Sequence, residues 1–170
     1  MNLLNYLADV KDFPKKGIIF KDISPLLNDG TAYNYAINEM IKKISDVDVI
    51  VSPEARGFIF GCPVATKMSK SFVMVRKPNK LPGECFEQHY DLEYGQNVLQ
   101  IQKNLIKPGQ KVAIVDDILA TGGTTEAIIK LVEQSGGKVT DIVVLLELSF
   151  LNGKEYLKKY DVNIHSLLKN

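Results

Sequence analysis

The chain contains no tryptophan, only two cysteines and two histidines, and no excess charge of either sign. Each shortage removes a class of explanation. Cys62 and Cys85 show no C-x-x-C spacing, and with His89 and His165 they compose no metal-ligand cluster, so neither a structural zinc nor a disulfide is expected. Lysine and arginine total 21 against 20 aspartates and glutamates, a net charge of +1. Spread through the chain, those charges form no basic field for nucleic acid and no basic amphipathic segment for a membrane surface. No stretch approaches the roughly eighteen apolar residues of a membrane span, and the first residues lack a basic region followed by an apolar run. The expectation is a cytoplasmic protein with no nucleic-acid or membrane partner. Neither G-x-x-x-x-G-K-[ST] nor G-x-G-x-x-G occurs, which weighs against a generic nucleotide-binding module.

What is present suffices for one core. With 170 residues and 45% hydrophobic content, the chain reads as a single domain, residues 1–170, without repeats, low-complexity tracts or linkers. Leu3, Leu4, Leu7 and Val10 recur at helical spacing after Asn2, and Phe13-Pro14 stops the pattern, predicting a short N-terminal helix. Residues 16–22 follow as a brief extended segment. Across residues 31–44, Tyr35, Ile37, Met40, Ile41 and Ile44 form a helical core stripe. Residues 47–51 and 72–75 read as strands around a helix at 57–68, with Pro63 placed in its first turns.

The next eight residues, R-K-P-N-K-L-P-G at 76–83, hold two prolines, a glycine and three cations, a composition for a basic loop. Phe86, Gln88, Tyr90, Leu92 and Tyr94 then alternate with Glu87, His89, Asp91 and Glu93, the period of a half-exposed strand that residues 98–101 can pair with as an antiparallel ribbon. Strands at 111–115 and 142–146 flank a helix at 126–134 that Gly136-Gly137 stops. The alternation of strand and helix predicts an α/β fold with a mostly parallel central sheet flanked by helices.

The densest chemistry lies at residues 112–125, V-A-I-V-D-D-I-L-A-T-G-G-T-T. An apolar run of this kind suits a parallel strand covered on both faces, and open α/β sheets bind ligands at the carboxyl ends of such strands. Asp116 and Asp117 point to opposite sides of an extended backbone, so at least one can face a cleft, accept sugar hydroxyls or stand near a metal. Thr121, Gly122, Gly123, Thr124 and Thr125 offer hydroxyls and approachable N–H groups where a helix begins, which makes an anion cradle. Taken separately, the acidic pair also fits a solvated loop, and the Thr-Gly run a turn with a cap at Thr124 or Thr125.

A second strand-to-helix loop, S-P-E-A-R-G-F-I-F-G at 52–61, carries Arg56, which can fork onto phosphate oxygens or pair with Glu54 at the surface. The 76–80 loop admits the same choice between anion binding and plain solvation.

Joined in this order, residues 112–125 resemble the phosphoribosyl pyrophosphate (PRPP) signature of the type I phosphoribosyltransferases. Four further stretches resemble the adenine-specific branch of that family: F-P-K-K-G-I-I-F-K-D-I-S-P-L-L at 13–27, E-A-R-G-F-I-F-G at 54–61, R-K-P-N-K-L-P-G-E at 76–84 and Y-D-L-E-Y-G at 90–95. The resemblance implies the family fold, with an antiparallel ribbon or hood and a flexible catalytic loop across residues 76–95, and a base-binding segment within residues 1–30. It implies transfer of the phosphoribosyl group of PRPP to adenine with Mg²⁺, in a homodimer. Asp116 and Asp117 would engage the ribose hydroxyls and lie near a magnesium held mainly by PRPP, and Ala120, Thr121, Gly122, Gly123 and Thr124 would cradle the 5′-phosphate. Arg56, Arg76 and Lys80 would meet pyrophosphate, with Arg56 also catalytic. Phe20 would stack on adenine between Ile19 and Lys21, whose backbone groups read its edge, and Glu93 would handle the N7 proton.

In similar enzymes for 6-oxopurines an aspartate precedes the Thr-Gly of the loop; Ala120 stands here and cannot move a proton. Glu93 is therefore the acid/base the resemblance names, although alternation alone also reads it as an exposed strand carboxylate beside Glu87 and Asp91. Asn79 replaces a loop glycine and tolerates positive φ. Lys21 stands where arginine is common and lacks its forked donor. Cys62 is expected to be a small core residue, and Cys85 and His89 to be solvated. A transferase for another base, or a PRPP-sensing regulatory protein of the same fold, would share most of these features.

Overall fold

In the computed structural model, which describes residues 1–92 and 95–170 and the side chains of all of these but Leu92, the chain divides into two units, Met1–Glu39 and Met40–Asn170. The first unit departs from the helix expected at its start. Asn2 does cap a turn, its side chain accepting from the Leu4 N–H, but that turn is a 3-10 helix of four residues, Leu3–Tyr6. The chain then enters strand β1 (Ala8–Lys11), which pairs antiparallel with β2 (Ile19–Asp22), Ala8 opposite Asp22 and Lys11 opposite Ile19. Four apolar residues at helical spacing do not decide between helix and strand when a partner strand lies close in sequence. Helix α1 (Ser24–Asn28) has Pro25 in its first turn, where the missing N–H costs nothing.

Helix α2 (Gly30–Ile41) buries Ala32, Ala36, Ile37 and Met40, a stripe narrower than the sequence pattern, with Tyr35 and Ile41 only half-buried.

The second unit is built on a sheet that has, among the described residues, seven strands in the order β5-β6-β4-β3-β7-β8-β9. Its parallel part comprises β3 (Val49–Pro53), β4 (Ser71–Arg76), β7 (Lys111–Leu119), β8 (Lys138–Glu147) and β9 (Asn163–Lys169). At one edge β5 (Cys85–Leu92) and β6 (Gly95–Gln102) form the expected antiparallel ribbon, with Phe86 opposite Ile101 and Tyr90 opposite Asn97; β6 joins β4 antiparallel. Along β5, Phe86, Gln88 and Tyr90 are half-buried while Glu87, His89 and Asp91 are exposed, as the alternation predicts.

Both faces of the central strands are covered, which is why they read as apolar runs. Val49, Val51, Ile114 and Val144 share one core cluster with Ile128 and Leu131 of helix α4 (Gly123–Gln134). Ser52 instead lies under helix α3 (Arg56–Met68): a Cβ on Gly61 would fall 1.9 Å from the Ser52 Oγ, which donates to the Val115 carbonyl at 2.6 Å. Only glycine lets α3 approach this closely. Pro63 stands inside α3 rather than in its first turns, removing one N–H from the helical ladder. Cys62, expected in the core, is exposed, because α3 buries Gly57, Phe60, Gly61, Val64 and Ala65 and turns position 62 outward. Beyond β8, a short helix α5 (Gly153–Tyr156) and flanking 3-10 turns lead to β9, a strand whose half-buried residues gave no sequence signal.

Candidate active site

The parallel strands set the site by ending together at one edge of the sheet. Strand β7 does not stop at its acidic pair but continues to Leu119, so Asp116 and Asp117 sit within the sheet, 8% and 6% exposed. Although successive side chains alternate along an extended backbone, the two carboxylates stay close enough to interact with each other. Asp116 lines a cavity of about 120 Å³ together with Ile118, Ala120, Thr121, Gly122, Thr124 and Thr125. Its Oδ1 accepts the Asp117 N–H at 2.8 Å. Burial, followed by the neighbouring Asp117 carboxylate, holds Asp116 well above the usual carboxylate range.

The cavity is closed by the start of α4. Gly122 is the N-cap, with φ +91°, a backbone region that L side chains rarely adopt, and no side chain hydrogen-bonds to the cap. The helix thus begins at Gly123, three residues before the expected Glu126, and its first-turn N–H groups and positive dipole end lie beside the cavity. Thr124 and Thr125 serve as cavity lining and not as caps.

Arg56 opens α3, and its Nε lies 2.8 Å from the Asp117 Oδ2. The second loop is thereby tied to the acidic pair. Glu54 reaches elsewhere: it accepts the Lys77 backbone N–H at 2.6 Å and lies 3.3 Å from the Arg76 Nη2. Burial would raise the Glu54 pKa, but the Lys77 N–H and then Arg76 outweigh it and hold the carboxyl below its ordinary value. Arg76 closes β4, donates through Nη1 to the Lys80 carbonyl at 3.4 Å, and has a buried Nε with no hydrogen-bond partner among the described residues. Asn79 sits at φ 64°, so an asparagine does take the left-handed position of a loop glycine. Lys80 is exposed in this loop.

In the first unit, Ile19, Phe20 and Lys21 are consecutive residues of β2. The Phe13 and Phe20 rings meet edge-on at 5.1 Å, and the Lys21 ammonium pairs with Asp9 at 2.6 Å. Ile19 is 57% exposed, a large apolar side chain held at the surface. Glu93, named as the proton-handling residue, lies outside the described residues. His89 is exposed as expected, while Cys85 is half-buried, its thiol 3.9 Å from the Gly83 carbonyl.

A model of the phosphoribosyl transferase domain matches residues 27–168. This chain belongs to the phosphoribosyl transferase family. It is 59% identical over 170 residues to the adenine phosphoribosyltransferase of Mycoplasmopsis fermentans, with 99% of each chain covered. The crystal structure of adenine phosphoribosyltransferase from Thermoanaerobacter pseudethanolicus superposes with a TM-score of 0.95 at 49% identity, covering 99% of this chain and 98% of that one. The Saccharomyces cerevisiae adenine phosphoribosyltransferase, solved with an imino-altritol bisphosphate and adenine, gives a TM-score of 0.89 at 38% identity, covering 98% and 96%.

Two parts of this phosphoribosyltransferase site escaped sequence reasoning. Gly57 is needed because its Cβ would fall 2.9 Å from the Asp116 Oδ1, and a glycine two residues into a helix gives no sign of a carboxylate sixty residues away. Tyr90 brings its hydroxyl to 3.4 Å from the Thr124 Oγ1, linking the ribbon to the cradle; alternation could mark it as inward-facing but not name its partner.

Proposed function

We propose that this protein transfers the 5-phosphoribosyl group of PRPP to N9 of adenine, giving AMP and pyrophosphate, in purine salvage. The observation that carries the reading is the cavity where Asp116 faces the Ala120–Thr121–Gly122 turn and the start of α4, in a chain this similar to adenine phosphoribosyltransferases. A glycine-capped helix start suits the dianionic 5′-phosphate, and the Asp116 and Asp117 carboxylates suit the ribose hydroxyls as acceptors. Arg56, steered by Asp117, and the Arg76–Lys80 pair supply cations for the pyrophosphate. Phe20 stacks on the adenine ring, and the backbone of Ile19 and Lys21 reads its edge. Residues 1–170 act in this reading as one catalytic domain.

In the reaction the C1′–O bond to pyrophosphate breaks and the C1′–N9 bond forms, through an oxocarbenium-like transition state. The proton leaves N7 of the base to Glu93, since Ala120 offers no group to take it. Catalysis is then mostly positioning and stabilisation of the leaving pyrophosphate. Asp116 and Asp117 are hard oxygen donors of the kind Mg²⁺ accepts, while the described residues hold no group of three or more His, Cys, Asp or Glu that could bind a metal unaided. That donor set fits a magnesium held chiefly by PRPP with these carboxylates nearby. When bound, the ion supplies charge neutralisation to the departing pyrophosphate. The basic loop after β4 closes over the site and excludes water.

A homodimer in the cytoplasm completes the reading. No helix among the described residues is long and apolar enough to cross a membrane.

The test is pyrophosphate release by the purified protein with PRPP and Mg²⁺, comparing adenine, hypoxanthine, guanine, orotate and no base. Release with adenine alone is expected. Release driven by another base would overturn the base assignment, and PRPP binding without release would favour a regulatory role.

A further inference from the structure

We propose that Glu126, Tyr156, Lys159 and Tyr160 are positioning residues that hold the phosphate cradle from the side away from its ligand. Glu126 stands in the first turn of α4, directly after the cradle. Its carboxylate gathers donors from a segment some thirty residues later: the Tyr156 hydroxyl on Oε2, the Tyr160 hydroxyl at 2.7 Å and the Lys159 ammonium at 2.7 Å on Oε1. Lys130, one turn further along α4, adds a fourth contact at 3.8 Å. The Lys159 ammonium also stands over the Tyr156 ring, 4.0 Å from its centre.

Backbone packing runs alongside this cluster. A Cβ on Gly153 would fall 2.2 Å from the Ala120 carbonyl, and one on Gly122 would fall 3.0 Å from the Tyr156 ring and 3.3 Å from Leu157. The Leu148 N–H donates to the Leu119 carbonyl at 2.9 Å, fixing the start of the same segment to the end of β7. The cavity is lined by Asp116 and residues of the 118–125 turn, with none of residues 148–160 contributing. The cradle therefore lies between its cavity and a glycine-bearing segment fitted against its back.

The charges have a purpose in this arrangement. A carboxylate one turn from a phosphate site would repel the phosphate if it stood alone. Burial would raise Glu126, but Lys159, Tyr156, Tyr160 and Lys130 outweigh it and bring its pKa to about 2. The cluster thus lets Glu126 tie the helix down while its charge is compensated locally.

This inference rests on the assignment of the cradle to the 5′-phosphate. Its test is calorimetric binding of ribose 5-phosphate and, separately, magnesium pyrophosphate to the wild-type protein and to Y156F/Y160F, with KM and kcat measured alongside. The double variant keeps both rings and removes only two donors. It should bind ribose 5-phosphate roughly tenfold more weakly and raise the KM for PRPP similarly, with pyrophosphate affinity and the KM for adenine nearly unchanged. Equal weakening of both ligands would mean a general structural role and would overturn the proposal, as would unchanged ribose 5-phosphate binding. If the double variant does not fold, Y160F and K159M are read by the same comparison. Failure of the wild-type protein itself to bind ribose 5-phosphate would instead overturn the cradle assignment.

Discussion

The Nε of Arg56 lies 2.8 Å from the Oδ2 of Asp117, joining the first residue of α3 to a buried position of β7. Asp117 is nearly enclosed and Arg56 about one-third exposed, so the buried carboxylate is an anchor that orients the more exposed guanidinium. A charge-assisted contact of this kind is stronger than a neutral hydrogen bond and directional.

Two substitutions separate aiming from charge. R56A removes the cation and should lower kcat/KM for PRPP by about 10²–10³. D117N leaves the cation but loosens its anchor, and should raise the KM for PRPP with a smaller loss. Steady-state kinetics of both variants decides; a larger defect in D117N than in R56A would mean that Asp117 acts chiefly on substrate.

Asp116 pits stability against function. Its folded pKa is raised, so the folded state binds the proton more tightly than the unfolded state, and the ionised form is a cost that grows as pH rises above the unfolded value of about 3.9. D116N removes that cost and keeps an oxygen for the Asp117 N–H. Measured without PRPP or Mg²⁺, its Tm at pH 7 should exceed that of wild type by about 2–4 °C, for a gain of about 1 kcal/mol. The gain should vanish below about pH 4, and activity should fall at every pH. A lower Tm at pH 7 would contradict the account of Asp116.

Glu126 behaves in the opposite sense. Its pKa falls from 4.5 to about 2, so its contribution to stability is complete above pH 4.5 and is lost as pH drops through the window down to about 2. Urea unfolding of wild type and E126Q should show wild type more stable at pH 7, with the gap narrowing between pH 4.5 and 3. A gap that stays constant through that window would mean the carboxylate is not held by its neighbours as described.

Glu93 is expected to move the N7 proton. E93Q should cut kcat by roughly 10²–10⁴ while leaving PRPP affinity within a fewfold of wild type. Turnover unchanged in E93Q would remove this residue from the mechanism.

How much of this was legible in the sequence depends on the range of the interaction. The strand-to-helix turn that lines the cavity was legible because an apolar run, two aspartates and a Thr-Gly turn are consecutive, and the ribbon because Phe86, Gln88 and Tyr90 alternate with charges. Asn79 was expected to tolerate positive φ because the resemblance puts a glycine at that loop position and asparagine can take its conformation. The helix expected around Leu3 and Leu7 failed where the pairing of β1 with β2 outweighed a weak local pattern. Strand β9 was missed because an edge strand of half-buried residues carries no apolar run. The pairing of Arg56 with Asp117, the fit of Gly57 on Asp116 and the grip of Tyr156 and Tyr160 on Glu126 all join residues thirty or more positions apart, where spacing holds no information.

The most direct measurement is to incubate the purified protein with adenine, PRPP and Mg²⁺ and follow the nucleotide formed by chromatography and NMR. AMP with its ribose on N9 is expected, formed one for one with pyrophosphate and about 10²–10³ more slowly in R56A. Adenine returned unchanged while another base is converted to its nucleotide would contradict it.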